Sequence, residues 1–581
     1  MLVSRIVTRL SLALLLAGCM HRADAQSGQK KAPAQKPAAL PSPPAGPAPS
    51  APPKATAAEN KAAHSAADGK ARNARSALGT NLDSIADWSS SFPFVDAMKR
   101  SREWMSTNDN TWEDQKSLPQ DEHGWIKQLA KGQYARTLLF WDVSHYPAGD
   151  YVLTYQGTGS FDYMGATASS RKIGREVIRS DGKSNFALLI KSIPTPSAYP
   201  HPIKVLLPGG ACANDNTKYC DAKTKCADGA QCVAFEHNSE QQIFHPKWLE
   251  RLAPYSTVRF MDWMKTNESK EHAWKDRPKP SDVRWRDGVP LEIMVALCNR
   301  MHLNPWFNIP NAADDEYVTK FASYVRDNLS PELKIYVEWS NEVWNGIFPQ
   351  AEYATKQGEK LGLGKGWEAQ YKYHSKRSTE VHKIWEKVFA GKLDRVVRVL
   401  GTQVANAGVA EALLNFGDTK DHVDALAVAP YFGGEYLSPE EASKWENSSV
   451  DDVIKDLHAR SLPRSFEAIK THAEIAKKYK LDLIAYEGGE SFAGIAGTEN
   501  NEKLNKLADA VGRDPRMKDV YLAYLEGWRK AGGHLFMHFT DCVAPSKHGR
   551  WGSLEYLEQP RAQAPKYDAL MTFVEKTPRW W

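Results

Sequence analysis

The chain has 581 residues, of which 42% are hydrophobic and 25% charged, the proportions of a globular protein large enough for more than one domain. Its net charge of +5 belongs to the beginning of the chain, because residues 1–75 carry 11 Lys/Arg against 3 Asp/Glu, whereas residues 76–581 carry 64 against 67. A basic nucleic-acid-binding surface is therefore not expected.

Residues 1–19 have the pattern of an export signal: two arginines precede an apolar run at residues 10–17 that is too short to span a membrane. The run ends in the tetrapeptide Leu-Ala-Gly-Cys19, which resembles a bacterial lipobox. This resemblance implies that Cys19 is lipidated and that the protein is an exported outer-membrane or periplasmic lipoprotein. Met20, rather than Asp, follows the cysteine and favours the outer membrane. Cleavage after Ala25, which would give a secreted protein, is the alternative.

Residues 20–75 consist largely of Ala, Pro, Lys and Gln, with nine prolines between Pro33 and Pro53. Such a composition cannot bury enough apolar surface to fold. We expect a disordered tether between the membrane and the folded part of the chain.

Four cysteines lie within 21 residues: Cys212, Cys220, Cys226 and Cys232. In an exported protein this cluster predicts two local disulfides, with three possible pairings. A zinc site is the alternative, although the CxxC pairs of a zinc ribbon are absent. Cys298 and Cys542 have apolar neighbours and are expected to be buried thiols.

Two patterns divide the rest of the chain. Residues 112–239 contain alternating strands separated by Gly, Pro and Asp-Gly turns, which predicts a small antiparallel β-sandwich followed by the cysteine loop. From residue 240 onward, strands alternate with helices. Together with residues 76–111, the segment 240–581 supplies the eight strands of a (β/α)8 barrel. The predicted barrel strands are 78–82, 257–262, 303–308, 334–340, 395–400, 423–428, 481–486 and 534–539.

This arrangement requires the sandwich to be inserted between barrel strands 1 and 2. The alternative, two sequential domains, would leave only seven strands after residue 240. Residues 95–105 are predicted to form the first helix.

Two of the predicted barrel strands end in a glutamate. The apolar run at 335–337 leads into Ser340-Asn-Glu-Val-Trp-Asn345, and the run at 481–486 ends at Glu487, followed by two glycines. Residues at the carboxyl ends of barrel strands meet at one face, so Glu342 and Glu487 are expected to lie close together. Two facing carboxyl groups are the machinery of glycoside hydrolysis.

The segments 338–345 and 485–489 resemble the strand-4 and strand-7 signatures of the clan A retaining glycoside hydrolases. The resemblance covers about residues 78–111 and 240–581 and implies specific roles. Glu342 would be the general acid/base and Glu487 the nucleophile. Asn341 would bind the sugar 2-hydroxyl, Tyr431 would hold the nucleophile, and Arg259 would keep Glu487 ionised.

Further strand-end residues are candidates for substrate binding. Some are aromatic and could stack on sugar rings, while others could reach sugar hydroxyls. The aromatic candidates are Trp88, Trp263, Trp306, Trp344 and Trp551; the polar ones are Asn308 and His538. Many members of the clan have a tryptophan at the end of strand 8, where this chain has His538-Phe539 and places Trp551 later.

Alternatives remain at each level. Glu338 could compete for the acid role, and Glu490, three residues after Glu487, could be a surface residue. No metal-ligating cluster other than the cysteines and no phosphate-binding glycine loop is recognised, so neither a cofactor nor a metal is expected. The expected partner is a polysaccharide or oligosaccharide, with a membrane reached only through the lipid anchor, and the oligomeric state is left open. A non-catalytic carbohydrate-binding lipoprotein and a structural envelope protein are the rival functions.

Overall fold

The computed structural model describes residues 76–581. The predicted export signal, the predicted tether and the lipidation candidate Cys19 lie outside the described residues. Among residues 76–581, no helix is both long and apolar enough to cross a membrane.

Eight parallel strands close into a barrel, in chain order, with the last strand paired to the first. Their continuous burial explains why they have apolar sequences rather than alternating ones. We call them barrel strands 1 to 8: Leu78–Asn81, Thr257–Arg259, Asn304–Ile309, Ile335–Trp339, Val396–Gly401, Ala425–Val428, Asp482–Ala485 and Phe536–His538. The predicted eight-stranded barrel, including a first strand near residue 78, is confirmed.

Helices accompany the barrel strands. They are Phe235–Asn238, Pro246–Leu252, Leu291–Met301, Asp315–Asn328, Pro349–Lys360, Trp367–Val388, Ala407–Leu414, Ala442–Trp445, Val450–Asp456, Leu462–Tyr479, Glu502–Arg513, Met517–Lys530 and Pro565–Lys576. Local chemistry sets several ends. Asp314 caps the helix after barrel strand 3 by accepting from the backbone N–H of Tyr317. Asp514 is extended before Pro515, so the helix Glu502–Arg513 ends there and a new helix begins at Met517.

The helix predicted at residues 95–105 is wrong. Only Ala97–Arg100 forms a short 3-10 turn, and Met105–Thr107 is a strand. This strand pairs antiparallel with Tyr134–Phe140, so a partner distant in sequence decides its conformation.

Between barrel strands 1 and 2 the chain forms two four-stranded antiparallel sheets, which we call the insert. In spatial order, the strands are Met105–Thr107, Tyr134–Phe140, Phe186–Ser192 and Ser160–Met164 in one sheet, and Ala166–Lys172, Arg175–Ser180, Gly149–Thr154 and Lys204–Leu206 in the other. Buried rings join the sheets: Tyr151 lies 5.9 Å from Phe140 and 5.5 Å from Phe186, measured between ring centroids.

The cysteine loop follows as a three-stranded sheet of Gly210–Cys212, Asp215–Cys220 and Cys232–Ala234. The predicted two disulfides are confirmed, and the pairing is Cys212–Cys226 and Cys220–Cys232. Three of these sulfurs lie within 4.8 Å of one another, but all four cysteines are joined in pairs, so the zinc alternative is wrong. Cys298 and Cys542 are buried free thiols, as predicted.

The barrel interior is filled by side chains and is not a channel. Trp306 stacks on Tyr336 with ring centroids 5.4 Å apart, within a buried cluster that includes Val399, Ile484 and Met537. The polar side chains that follow the strands are thereby confined to the mouth at the carboxyl ends.

Candidate active site

A buried arginine lies at the centre of the polar cluster at the barrel mouth. Arg259, the last residue of barrel strand 2, has no exposed side-chain surface. Its guanidinium donates to Oε1 of Glu487 at 2.8 Å, to Oε2 of Glu338 at 2.9 Å and to Oδ1 of Asn341 at 2.8 Å. A fully buried cation is costly unless it is paired, and here two carboxylates supply the pairing.

Glu487 follows barrel strand 7 and is only 3% exposed. While its Oε1 faces Arg259, its Oε2 accepts a hydrogen bond from the hydroxyl of Tyr431 at 3.0 Å. Both oxygens are therefore held, which fixes the orientation of the carboxyl group.

Glu342 lies in the turn after barrel strand 4 and is partly exposed. Ser340 and Glu342 both have positive φ, 61° and 41°, so this turn adopts a conformation that is unfavourable for non-glycine residues. Oε1 of Glu342 accepts from the Tyr486 hydroxyl at 2.7 Å and Oε2 from Nδ2 of Asn345 at 2.9 Å. Among the described residues, no cation forms an ion pair with Glu342.

Two physical effects set the protonation of the two glutamates. Burial raises the pKa of Glu342, and the hydrogen bonds from Asn345 and Tyr486 partly oppose it. Burial also raises the pKa of Glu487; Arg259 lowers it and the neighbouring Glu342 raises it. Of Glu342 and Glu487, only Glu487 contacts the guanidinium of Arg259. Arg259 therefore favours negative charge on Glu487 over Glu342.

The two rival glutamates are engaged elsewhere. Oε2 of Glu338 accepts from Arg259, from Nε1 of Trp306 at 2.9 Å and from Nδ2 of Asn308 at 2.7 Å. Glu490 is 1% exposed and ion-pairs with Lys566 at 2.8 Å, so the interpretation of it as a surface residue is wrong.

Asn341 lies beside the pair, 2% exposed, and both ends of its amide are occupied. Its Oδ1 accepts from Arg259, and its Nδ2 donates to Oδ1 of Asn267 at 2.9 Å. Gln350 donates to the same Asn267 oxygen at 2.7 Å and to the Asn341 carbonyl at 2.8 Å. This network fixes the Asn341 side chain next to Arg259.

Two predicted aromatic contacts are wrong because burial leaves no ring face for a sugar. Trp263 is 1% exposed; it stacks on Trp248 at 5.7 Å and donates from Nε1 to the Asp83 carbonyl. Trp306 is fully buried inside the barrel. Of the other candidates, Trp344 is partly exposed, and Trp551 lies with its ring 5.5 Å from that of Tyr431.

The two predicted polar contacts are also fully buried. Asn308 uses its Nδ2 to donate to Glu338 and, at 2.9 Å, to the Ser340 carbonyl, so it supports the strand-4 turn. His538 has no exposed surface, and burial lowers its pKa to about 3, which keeps it neutral. Neither side chain is placed to reach a sugar hydroxyl, which contradicts both predictions.

Three residues at the site were not predicted from the sequence. Tyr486 and Asn345 hold Glu342, and both stand within the quoted motifs, immediately before Glu487 and three residues after Glu342. Asp262, three residues after Arg259, is partly exposed, and its side chain accepts no hydrogen bond from the described part of the chain. Burial raises the pKa of Asp262 to about 6, and its charge raises the pKa of Glu487.

Comparisons with known proteins give no family for the chain. No family model and no curated protein matches the chain. A GH5-4 broad-specificity endoglucanase from Clostridium longisporum is similar in structure, with 9% identity, a TM-score of 0.33, and 59% of this chain and 89% of that chain covered. A protein described as a glycoside hydrolase from Parabacteroides distasonis has 14% identity, a TM-score of 0.34, and coverage of 57% and 87%.

An exo-β-agarase shows 9% identity and a TM-score of 0.32, over 86% of this chain and 62% of its own. Likenesses this distant carry no argument about substrate. The strand pairing and the side chains define the class of protein. It is a closed eight-stranded (β/α)8 barrel with two glutamates at the carboxyl ends of strands 4 and 7.

Proposed function

We propose that the protein is a retaining glycoside hydrolase that cleaves a β-linked polysaccharide or oligosaccharide. One observation carries the proposal: of two strand-end glutamates at the barrel mouth, Glu487 is ion-paired to buried Arg259, and Glu342 is not. A retaining enzyme needs this difference between an ionised nucleophile and a protonated acid.

In the first step, the Glu487 carboxylate attacks the anomeric carbon while Glu342 donates its proton to the glycosidic oxygen. The bond to the leaving sugar breaks, and a glycosyl-enzyme ester forms on Glu487. In the second step, Glu342, now a carboxylate, takes a proton from water. The water oxygen displaces Glu487, and the anomeric configuration is retained.

Neighbouring side chains supply the supporting roles. Arg259 and Tyr431 orient the nucleophile, and Tyr486 and Asn345 orient the acid/base. Asn341 would bind the 2-hydroxyl. Trp344 and Trp551 are the aromatic side chains proposed for contact with sugar rings.

The rest of the chain is assigned by the same proposal. The insert would be a β-sandwich domain, for which the sequence predicts the boundaries 112–239. Because strand Met105–Thr107 pairs with a strand of the insert, the domain would begin slightly before residue 112. Two disulfides are compatible with an extracytoplasmic location. We keep Cys19 as the proposed lipid anchor, and residues 20–75 as the tether.

The test is hydrolysis of aryl β-glycosides and of β-glucan, β-mannan, xylan and exopolysaccharide preparations. Glu342→Ala and Glu487→Ala should each lose several orders of magnitude in kcat, whereas Glu502→Ala, at an exposed site, should not. NMR of the first-formed sugar should show the β-anomer. A 2-fluoro glycoside should label the peptide that contains Glu487.

An α-anomer as first product would contradict retention, and activity in Glu487→Ala would contradict the nucleophile. Binding of a glycan without hydrolysis by the wild type would favour the carbohydrate-binding alternative.

A further inference from the structure

The insert presents an exposed tryptophan to solvent. Trp112 lies between strands Met105–Thr107 and Tyr134–Phe140 and is 46% exposed. The ring of partly exposed Trp141 lies beside it, with centroids 5.1 Å apart at an interplanar angle of 53°. Two adjacent rings that are at least partly exposed form a contiguous apolar patch, and patches of this kind, unlike single exposed rings, often mark binding sites.

A buried arginine holds the exposed ring in place. Arg136 is 3% exposed, and its guanidinium carbon lies 3.4 Å from the centroid of the Trp112 ring. The same guanidinium donates to the Trp112 carbonyl. One ring face therefore rests on a cation inside the insert, and the exposed part of the ring is turned outward. Because the ring is already ordered, a ligand that stacks on it loses little conformational entropy from the protein.

Trp141, the second member of the pair, contacts the loop that follows barrel strand 1. Its backbone N–H donates to the Asp87 carbonyl at 3.0 Å, in the loop that follows barrel strand 1. In the same loop, the backbone N–H of Asp83 donates at 2.8 Å to Asp541, which follows barrel strand 8. Asp87 is four positions after Asp83, so the two lie at most about 14 Å apart.

The connecting loop is itself fixed by ionic contacts. The Asp87 carboxylate pairs with Arg102 at 2.7 Å and with Arg286 at 3.9 Å. The next residue, Trp88, has the two guanidinium carbons 5.3 Å and 4.7 Å from its ring centroid. Trp88 therefore lies in the loop after barrel strand 1, next to the carbonyl of Asp87 that accepts from Trp141.

We propose that Trp112 and Trp141, continued by Trp88 toward the barrel mouth, form a distal binding strip for an extended polysaccharide chain. The apolar faces of successive sugar rings would stack on the indoles, and their hydroxyl groups would bind the arginines at the rim. This inference rests on the proposed function and extends it: the enzyme would prefer long polymers and cleave within them.

The experiment compares Trp112→Ala/Trp141→Ala with wild type on a polymer and on the aryl β-glycoside of the same sugar. Affinity electrophoresis in gels containing each of the four polysaccharides above measures binding without turnover. Trp367→Ala is the matched control, since Trp367 is 68% exposed on a helix outside the insert. Trp112→Phe/Trp141→Phe retains aromatic rings at both positions. It tests whether a loss of polymer binding comes from the missing rings or from a disturbed fold.

We expect the double alanine variant to lose roughly tenfold in polymer affinity and in kcat/KM on the polymer, with no change on the aryl glycoside. The phenylalanine variant should recover part of the loss, and Trp367→Ala should match wild type.

Three results would contradict the binding strip. The double alanine variant could lose as much kcat/KM on the aryl glycoside as on the polymer, or it could behave like wild type. The third is that none of the four polymers retards the wild type in the gel. If no substrate is cleaved but the double variant loses polymer binding, the strip stands and the catalytic proposal fails.

Discussion

The hydroxyl of Tyr486 donates to Oε1 of Glu342 at 2.7 Å, and Tyr486 immediately precedes Glu487 in the chain. The strand that delivers one glutamate thus also holds the other. A small shift of this strand end would alter both carboxyl groups, which couples their geometry and their protonation.

We expect Tyr486→Phe to raise the pKa of Glu342, because the lost hydrogen bond stabilises the carboxylate form. The alkaline limb of the kcat/KM profile should therefore move to higher pH, and kcat should fall about tenfold or more as the base of the second step is misplaced. A pH–rate series on an aryl β-glycoside measures both effects. If kcat/KM fell by the same factor at every pH and the alkaline limb did not move, the proposed effect of Tyr486 on the pKa of Glu342 would be contradicted.

Arg259→Met should destabilise the protein and abolish activity. The substitution leaves the buried Glu338 and Glu487 carboxylates without their cation, and breaking such a pair costs about 3–5 kcal/mol. Urea unfolding of the variant measures this loss. Met is similar in length and apolar, so packing alone should cost little. A loss below about 1 kcal/mol would show that Arg259 does not carry the pairing.

The barrel was predictable from the sequence because buried parallel strands are continuous apolar runs, and helices with period 3.6 separate them. The position of the insert was predictable from the number of strands. Only seven barrel strands follow residue 240, so the eighth had to be the one near residue 78. The pairing of strand Met105–Thr107 was not predictable, because its partner begins 27 residues later, at Tyr134.

The candidate site was predicted less completely. The strand-end position indicated Glu342 and Glu487, and the resemblance added Arg259. Neither indicated whether a given tryptophan side chain would be buried or exposed. Trp263 and Trp306 are buried, since one packs outside the barrel and the other inside it. The role of Tyr486 depends on a hydrogen bond between residues 144 positions apart, which no local pattern encodes.

Asp262→Asn should move the acidic limb of the pH–rate profile to lower pH. Asp262 raises the pKa of Glu487 by charge repulsion, so removing its negative charge lowers that pKa and keeps the nucleophile ionised in more acidic solution. The measurement is kcat/KM against pH with an uncharged aryl glycoside. Asp287→Asn is the control, because Asp287 lies in the same strand-2-to-helix connection but is exposed. An acidic limb unchanged by Asp262→Asn, or equally moved by Asp287→Asn, would contradict the interaction.

The stability of the protein should depend on pH through Glu342. Burial raises its pKa in the folded state above the ordinary value of 4.5, so the folded state keeps a proton that the unfolded state has already released. The contribution to the free energy of unfolding is therefore fully present below pH 4.5 and is lost as pH rises through the folded-state pKa.

Glu342→Gln cannot titrate, so its stability relative to wild type should increase as the pH is raised above about 4.5. Urea unfolding of both proteins across this range gives the difference at each pH. Glu502→Gln, at an exposed position, should leave the difference constant. If the relative stability of Glu342→Gln instead fell with rising pH, the folded-state pKa of Glu342 would have to be lowered, and the hydrogen bonds from Asn345 and Tyr486 would outweigh burial.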